Sequence, residues 1–177
     1  MKYIQVRMLG EFSLQSGENR ISDAGNRSKK VWSLLAYLIC NRGRAIHQQK
    51  LIDLLWGDDA GSNPENALRI TLHRLRALLD QLWPGAGREL IQYKDGGYSW
   101  NREVSSELDF ERFESLCQQK CEEEETHLAS LLEAVSLYKG EFLPRQTSDM
   151  WVVPISAHLQ NLYLTATLEA ANLLSAK

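Results

Sequence analysis

A chain of 177 residues with 44% apolar content is long enough for one domain or two small ones, and apolar enough to build a core. No run approaches the roughly 18 apolar residues that span a membrane. The alternating, Arg7-bearing start MKYIQVRMLG lacks the pattern of a secretory signal, so a cytoplasmic address and no membrane partner are expected. The net charge of −3 argues against a uniformly basic protein, but it is unevenly spread. Residues 1–101 carry 14 Lys and Arg against 10 Asp and Glu, a balance of +4, while residues 102–177 carry 6 against 13, a balance of −7. That asymmetry predicts two modules with different partners. Cys117 and Cys121 lie four apart without a histidine or third cysteine to complete a zinc set, so free thiols and no metal are expected.

In chain order, Ile4, Val6 and Met8 alternate over 3–9, and Phe12 and Leu14 continue over 11–15, which reads as two strands. Gly17, Glu18 and Asn19 form a turn into a short return strand at 20–22. Residues 23–28 read as a polar loop. A helix follows over 29–40, with Val31, Leu34, Leu35 and Leu38 at helical spacing and Gly43 as a stop. Ala45 and Ile46 allow no more than a bridge of strand. A second helix covers 48–56, with Leu51, Ile52 and Leu55 inward. The segment GDDAGS is a loop without the lysine and spacing of a phosphate-binding loop.

Residues 63–82, NPENALRITLHRLRALLDQL, read as one helix with two faces. Asn63 can accept from the free amides of the first turn, and Pro64 fits the first helical position. Leu68, Leu72, Leu75 and Leu79 form an apolar stripe. Asn66, Ile70, His73 and Arg74 lie around the cylinder from it, flanked by Thr71 and Arg76. This polar, basic face suits the major groove, where an arginine fork meets the two acceptors of a guanine edge. After residues 84–87 the period switches. Residues 89–93 and 98–101 are strand-like, joined by Lys94, Asp95, Gly96 and Gly97, and Asp-Gly between alternating runs is a hairpin signal. Sheet, three helices and hairpin make an α+β winged helix-turn-helix.

The stretches LLAYLICNRGRAI, LIDLLWGDD, NALRITLHRLRALL and the hairpin's GGY, in this order, resemble the OmpR-type winged-helix domain found in the SARP family of bacterial transcription activators. A leading four-stranded sheet is a mark of that type. The resemblance implies a DNA-binding domain over 1–102, with the 63–82 helix in the major groove and the 89–101 hairpin at the backbone or minor groove. It assigns base reading to Ile70 and Arg74, and phosphate grips to Thr71, His73 and Arg76. It places Lys94 where the family often carries a minor-groove arginine. A solvated turn residue is the competing reading for Lys94, and a plain surface side chain for His73. The loop 57–63 resembles a segment that touches RNA polymerase in some members.

Residues 102–106 read as a link, and the rest as helical. Leu108, Phe110, Phe113 and Leu116 mark one helix. Leu128, Leu131, Leu132, Val135 and Tyr138 mark a second, with a solvated acidic start at 122–125 and a stop at Gly140. Phe142, Leu143 and Pro144 form a turn, and Trp151 opens a third helix with Pro154 in its first turn. The paired helices resemble an all-α tetratricopeptide-like unit over 107–177. LDFERFESL, AVSLYKGEFLP and the Trp151 helix resemble the bacterial transcriptional activation domain of SARP proteins, in which dimerisation and signal coupling reside. Ser156 stands where that family often has arginine. Because a helical pattern reaches Lys177, the array is expected to be incomplete.

No nucleophile with a base, cofactor motif or metal set is present, so neither catalysis nor a cofactor is expected. The expected function is that of a sequence-specific transcriptional regulator, an activator, bound as a homodimer to double-stranded DNA. The alternative is a helical signalling module whose winged helix binds a protein.

Overall fold

The computed structural model describes residues 2–25, 28–59 and 61–177. The expected loop 23–28 therefore lies partly outside the described residues, as does one position of the 57–63 loop. The chain divides into two compact units. One comprises Met1–Ile4 with Gln15–Ser105, the other Gln5–Leu14 with Ser106–Lys177. Sequence reading places 5–14 with the N-terminal domain, so the observed division differs there, while the break after Ser105 falls within the expected link.

The first sheet contains β1 (Tyr3–Arg7), β2 (Ser13–Ser16), β3 (Asn19–Ser22) and, from much later in the chain, β7 (Ser105–Leu108), in the order β3-β2-β1-β7. The alternation read from the sequence is the buried face: Ile4, Val6, Met8, Phe12 and Leu14 are fully buried. The link expected at 102–106 is in part a strand, with Val104 and Leu108 buried. Its polar sequence, SSEL, acquires its pairing from a strand edge about a hundred residues away.

In the first unit, α1 (Lys29–Cys40) buries Val31, Leu34, Leu35 and Leu38. Helix α2 (Gln48–Trp56) begins where the His47 ring nitrogen accepts from the Gln49 amide at 3.1 Å. Helix α3 (Pro64–Leu79) starts as the capping logic requires: Asn63 Oδ1 accepts from the Asn66 amide at 3.2 Å, and Pro64 occupies the first turn. Leu68, Leu72, Leu75 and Leu79 are buried against α1 and α2.

A short helix, α4 (Ala86–Leu90), replaces the start of the expected strand at 89–93. Gly87 explains it. The Gly87 amide donates to Asp80 Oδ1 at 2.8 Å, and its α-carbon lies so close to α3 that a Cβ there would come within 2.3 Å of the Arg76 carbonyl oxygen. The wing then forms from β5 (Ile91–Lys94) and β6 (Gly97–Trp100), in register Ile91↔Trp100 through Lys94↔Gly97. Asp95 and Gly96, both at positive φ, make the two-residue turn. β4 (Ile46–His47) pairs with β6, giving the sheet order β4-β6-β5. Gly97 permits this approach, since a Cβ there would meet the Ile46 backbone at 2.7 Å.

The second unit packs α5 (Asp109–Gln118), α6 (Glu124–Leu137) and α7 (Val152–Ser175) on one another. Leu128 and Leu131 of α6 meet Ala166 and Ala170 of α7. Aromatic pairs extend this core: Phe113 with Tyr138 at 5.4 Å, and Tyr138 stacked on Tyr163 at 4.2 Å. Residues 5–14 join it through backbone bonds. The Leu143 amide donates to Met8 O at 2.8 Å and Gly10 donates to Glu141 O at 2.9 Å, around an isolated bridge of Leu9 and Phe142. The carboxylate of Asp109 accepts from the Met8 and Leu9 amides at 2.8 and 3.0 Å. The helices expected over 107–177 are present, and the extended strap at 5–14 joins them in this unit. Leu143 is held at φ 45°, a rare region for a bulky residue, with its side chain buried.

Candidate nucleic-acid interface

Helix α3 turns its leucines to the core, so the opposite face is set by helical geometry. Ile70 is 41% exposed, and Arg69, His73, Arg74 and Ala77 lie open beside it. Asn66 is half-buried and its Oδ1 accepts from Arg69 Nη2 at 2.6 Å. Four of the seven residues predicted for DNA thus share this outer face: Asn66, Ile70, His73 and Arg74. Arg74 has no carboxylate partner among the described residues. Its guanidinium donors are not spent on an acid of its own surface.

Two predicted residues are placed differently. Thr71 is buried, and its hydroxyl donates to the Ala67 carbonyl one turn back at 2.9 Å. Satisfied inside its own helix, it presents no outward donor. Arg76, expected to be exposed, is half-buried and donates from Nη2 to the Ile91 carbonyl at 3.0 Å. It ties α3 to the first residue of the wing. The reason is rotational: Arg76 is one residue past Leu75, on the edge of the stripe that the wing approaches. Lys94 stands exposed at the wing tip, before the Asp95-Gly96 turn.

Three cationic residues outside the predicted set line the same surface. Arg69 follows from the spacing that selects Asn66 and His73. Arg88 sits on α4, within a stretch whose pattern reads as strand. Arg102 follows the wing in a segment that reads as a link. Together they border two adjoining concavities. One, of about 350 Å³, runs between α3 and the wing past Arg69, His73, Arg76, Arg88 and Tyr98. The other, of about 1000 Å³, follows β5 past Arg76, Arg88, Lys94 and Arg102. Tyr98 packs on Tyr93 at 4.9 Å, and Tyr93 is 62% exposed. Such a surface can hold a polyanion by charge and offers flat rings and amides beside it.

The loop after α2 leaves Asp58 and Asp59 exposed. Among the described residues no group of three or more His, Cys, Asp or Glu is arranged to hold a metal ion. Among the described residues no helix is long and apolar enough to cross a membrane. The three cysteines are unpaired with one another, and burial, with help from the Glu114 charge, pushes the Cys117 thiol up to about 11.

Residues 23–100 match the family described as Transcriptional regulatory protein, C terminal. Over 96 residues the chain is 31% identical to the transcriptional regulator RedD of Streptomyces coelicolor, a match covering 54% of this chain and 27% of RedD. In three dimensions it is similar to the solved structure of EmbR from Mycobacterium tuberculosis, determined in complex with a low-affinity phosphopeptide. The TM-score is 0.75 at 19% identity, over 98% of this chain and 46% of the EmbR chain. The chain thus spans less than half the length of each relative. RedD is a transcriptional regulator by its name, and the EmbR likeness shows the fold. By these matches and the α3–wing geometry, residues 23–100 are similar to the OmpR-type winged helix of the transcriptional regulatory protein C-terminal family, and the chain is similar to the SARP regulators.

Proposed function

We infer that the chain is a sequence-specific, double-stranded-DNA-binding activator of transcription, acting in the cytoplasm as a homodimer on its site. The observation that carries this reading is the outer face of α3. It is exposed, cationic and free of carboxylates between Asn66 and Ala77, and it adjoins Arg88 and the wing's Tyr98 along one groove. Ile70 offers van der Waals contact to a thymine methyl and Arg74 a bidentate fork to guanine. His73 and Lys94 grip or approach phosphates. Asp58 and Asp59 form the surface offered to RNA polymerase. The helical unit couples and pairs protomers.

A second reading has its own support. EmbR is named in complex with a phosphopeptide, and α7 exposes Val153, Leu164, Leu168 and Leu174, as a protein-binding module would. The two readings separate on one experiment. Rounds of selection from a random duplex pool should enrich a defined sequence if α3 reads bases. Retention of a random pool without enrichment, or no retention at all, would favour the interaction module.

A further inference from the structure

The larger of the two concavities has a composition that the base-reading role leaves unexplained. It lies along β5, the edge strand of the wing sheet, and Arg76, Arg88, Lys94 and Arg102 border it with Glu103 as the one acid among its lining residues. Arg76 and Arg88 border the smaller concavity as well, so the two grooves run on from one another. The Arg76 guanidinium is half-buried. Its Nη2 is bound to a neutral carbonyl, and its Nε is buried without a partner. No carboxylate pairs with it, nor with Arg88, Lys94 or Arg102, among the described residues. A half-buried cation without a counter-ion is costly to keep unless an anion arrives.

Arg102 is also seated. Gly43, at φ +79°, lies under its side chain so closely that a Cβ at 43 would come within 2.9 Å of Arg102 Cδ. The Gly43 amide donates to the Trp100 carbonyl at 3.2 Å, which fixes that bare backbone beneath the arginine. The stem of Arg102 thereby packs over Gly43, and both residues line the groove.

We propose that this groove is a second phosphate-binding surface, in which Arg88 and Arg102 hold the DNA backbone alongside the segment that α3 reads. The proposal rests on the DNA-binding reading and extends its footprint to the β5 edge of the wing. A free phosphate or nucleotide would meet the same donors, so the test carries both anions.

The experiment uses the full chain, a 30-base-pair duplex of mixed sequence and sodium pyrophosphate. Affinity for the duplex is measured at four salt concentrations. Arg88→Gln with Arg102→Gln should flatten the plot of log affinity against log salt by about two, since each phosphate contact contributes about 0.9 to the slope. Arg88→Lys with Arg102→Lys should retain the slope, because a point charge suffices at a phosphate. Circular dichroism should show the same melting for both, as these side chains are exposed. If the wild-type chain binds no duplex, the DNA reading fails and takes the groove with it. If it binds and the glutamine variant keeps the full slope, the groove alone is refuted. Calorimetric binding of pyrophosphate that the glutamine variant loses, with an unchanged duplex slope, would assign the groove to a free anion and overturn the proposal.

Discussion

Helices α3 and α7 begin from the same rule and end in opposite surfaces. Each turns a stripe of small and branched apolar residues to a core: Leu68, Leu72, Leu75 and Leu79 in α3, Leu159, Ala166 and Ala170 in α7. On the outside α3 shows arginine, histidine and a single isoleucine. Helix α7 runs 24 residues with Glu169 as its one acidic or basic side chain apart from His158, and leaves Leu164 and Leu168 58% and 65% exposed. Glu169 is turned to His127 of α6, with 2.7 Å between oxygen and Nε2. Charge on an outer face suits water and polyanions, whereas leucine there suits another apolar surface. On the proposed reading, the contrast suits nucleic acid at the first unit and protein contact at the second.

The comparison is most sharply broken at the glycines that let backbone meet backbone. Gly87→Ala should cost about 3 kcal/mol, because its Cβ would collide with the Arg76 backbone, which has no flexible end to move aside. Urea denaturation of the full chain checks this. Loss confined to the first unit, seen as hydrogen exchange quickening in α3 and the wing while α6 and α7 stay protected, would sharpen the two-unit picture. Equal quickening in both would blur it.

The second unit has its own keystone in Asp109. Asp109→Ala should cost roughly 2 kcal/mol, since it strips the Met8 and Leu9 amides of their acceptor. Burial pushes this carboxyl above its usual value, against the amides of Met8, Leu9 and Phe110 that draw it down, while Glu11 adds to the rise. A carboxyl whose folded value is raised binds its proton more tightly when folded. Its contribution to stability therefore falls as pH climbs from the unfolded value of 3.8 through the raised one. Melting between pH 3.5 and 6, wild type against Asp109→Asn, should show that downward slope in the wild type and a flatter profile in the variant.

Arg76 gives a smaller effect that separates support from contact. Arg76→Ala should destabilise the first unit by about 1–2 kcal/mol by releasing the Ile91 carbonyl, besides weakening all DNA sequences alike. An unchanged melting temperature would show that the wing stands without it. The smallest effect is chemical. With the Cys117 thiol near 11, about one molecule in a thousand carries the thiolate at pH 8, so iodoacetamide should label it slowly until the pH nears 11. Fast labelling at pH 8 would mean that α5 and α6 open readily there.

What the sequence disclosed and what it withheld follows from range. Helices α1, α2 and α3 and the wing turn are local: an Asn63 cap, leucines at helical steps, an Asp95-Gly96 pair. Each was legible because the residues that decide it lie within one or two turns. Strand β7 and the strap at 5–14 depend on partners far along the chain, and helix α4 on its packing against the α3 backbone at Arg76 and the Asp80 carboxylate. Nothing in SSEL, MLGEF or AGREL announces the distant strand edge, the Asp109 carboxylate or the Arg76 backbone that each meets. The interface divides in the same way. Helical spacing placed Asn66, Ile70, His73 and Arg74 together and would have reached Arg69. It put Arg76 and Thr71 at the flanks of that face, and their burial is decided by the approach of the wing and by a hydroxyl's own backbone. Arg88 and Arg102 come to the groove only through α4 and Gly43.

The central claim, that the outer face of α3 reads base pairs, is tested most directly at Arg74. Its side chain is exposed and without a carboxylate partner, so Arg74→Ala should leave the melting temperature unchanged. Binding of wild type and variant to the selected duplex and to a scrambled one, at two salt concentrations, isolates its role. The account predicts a loss of about 1–3 kcal/mol on the selected duplex, with much less on the scrambled one and preference flattened at one base pair. Equal weakening on both duplexes would make Arg74 a phosphate contact and contradict the assignment of the reading face.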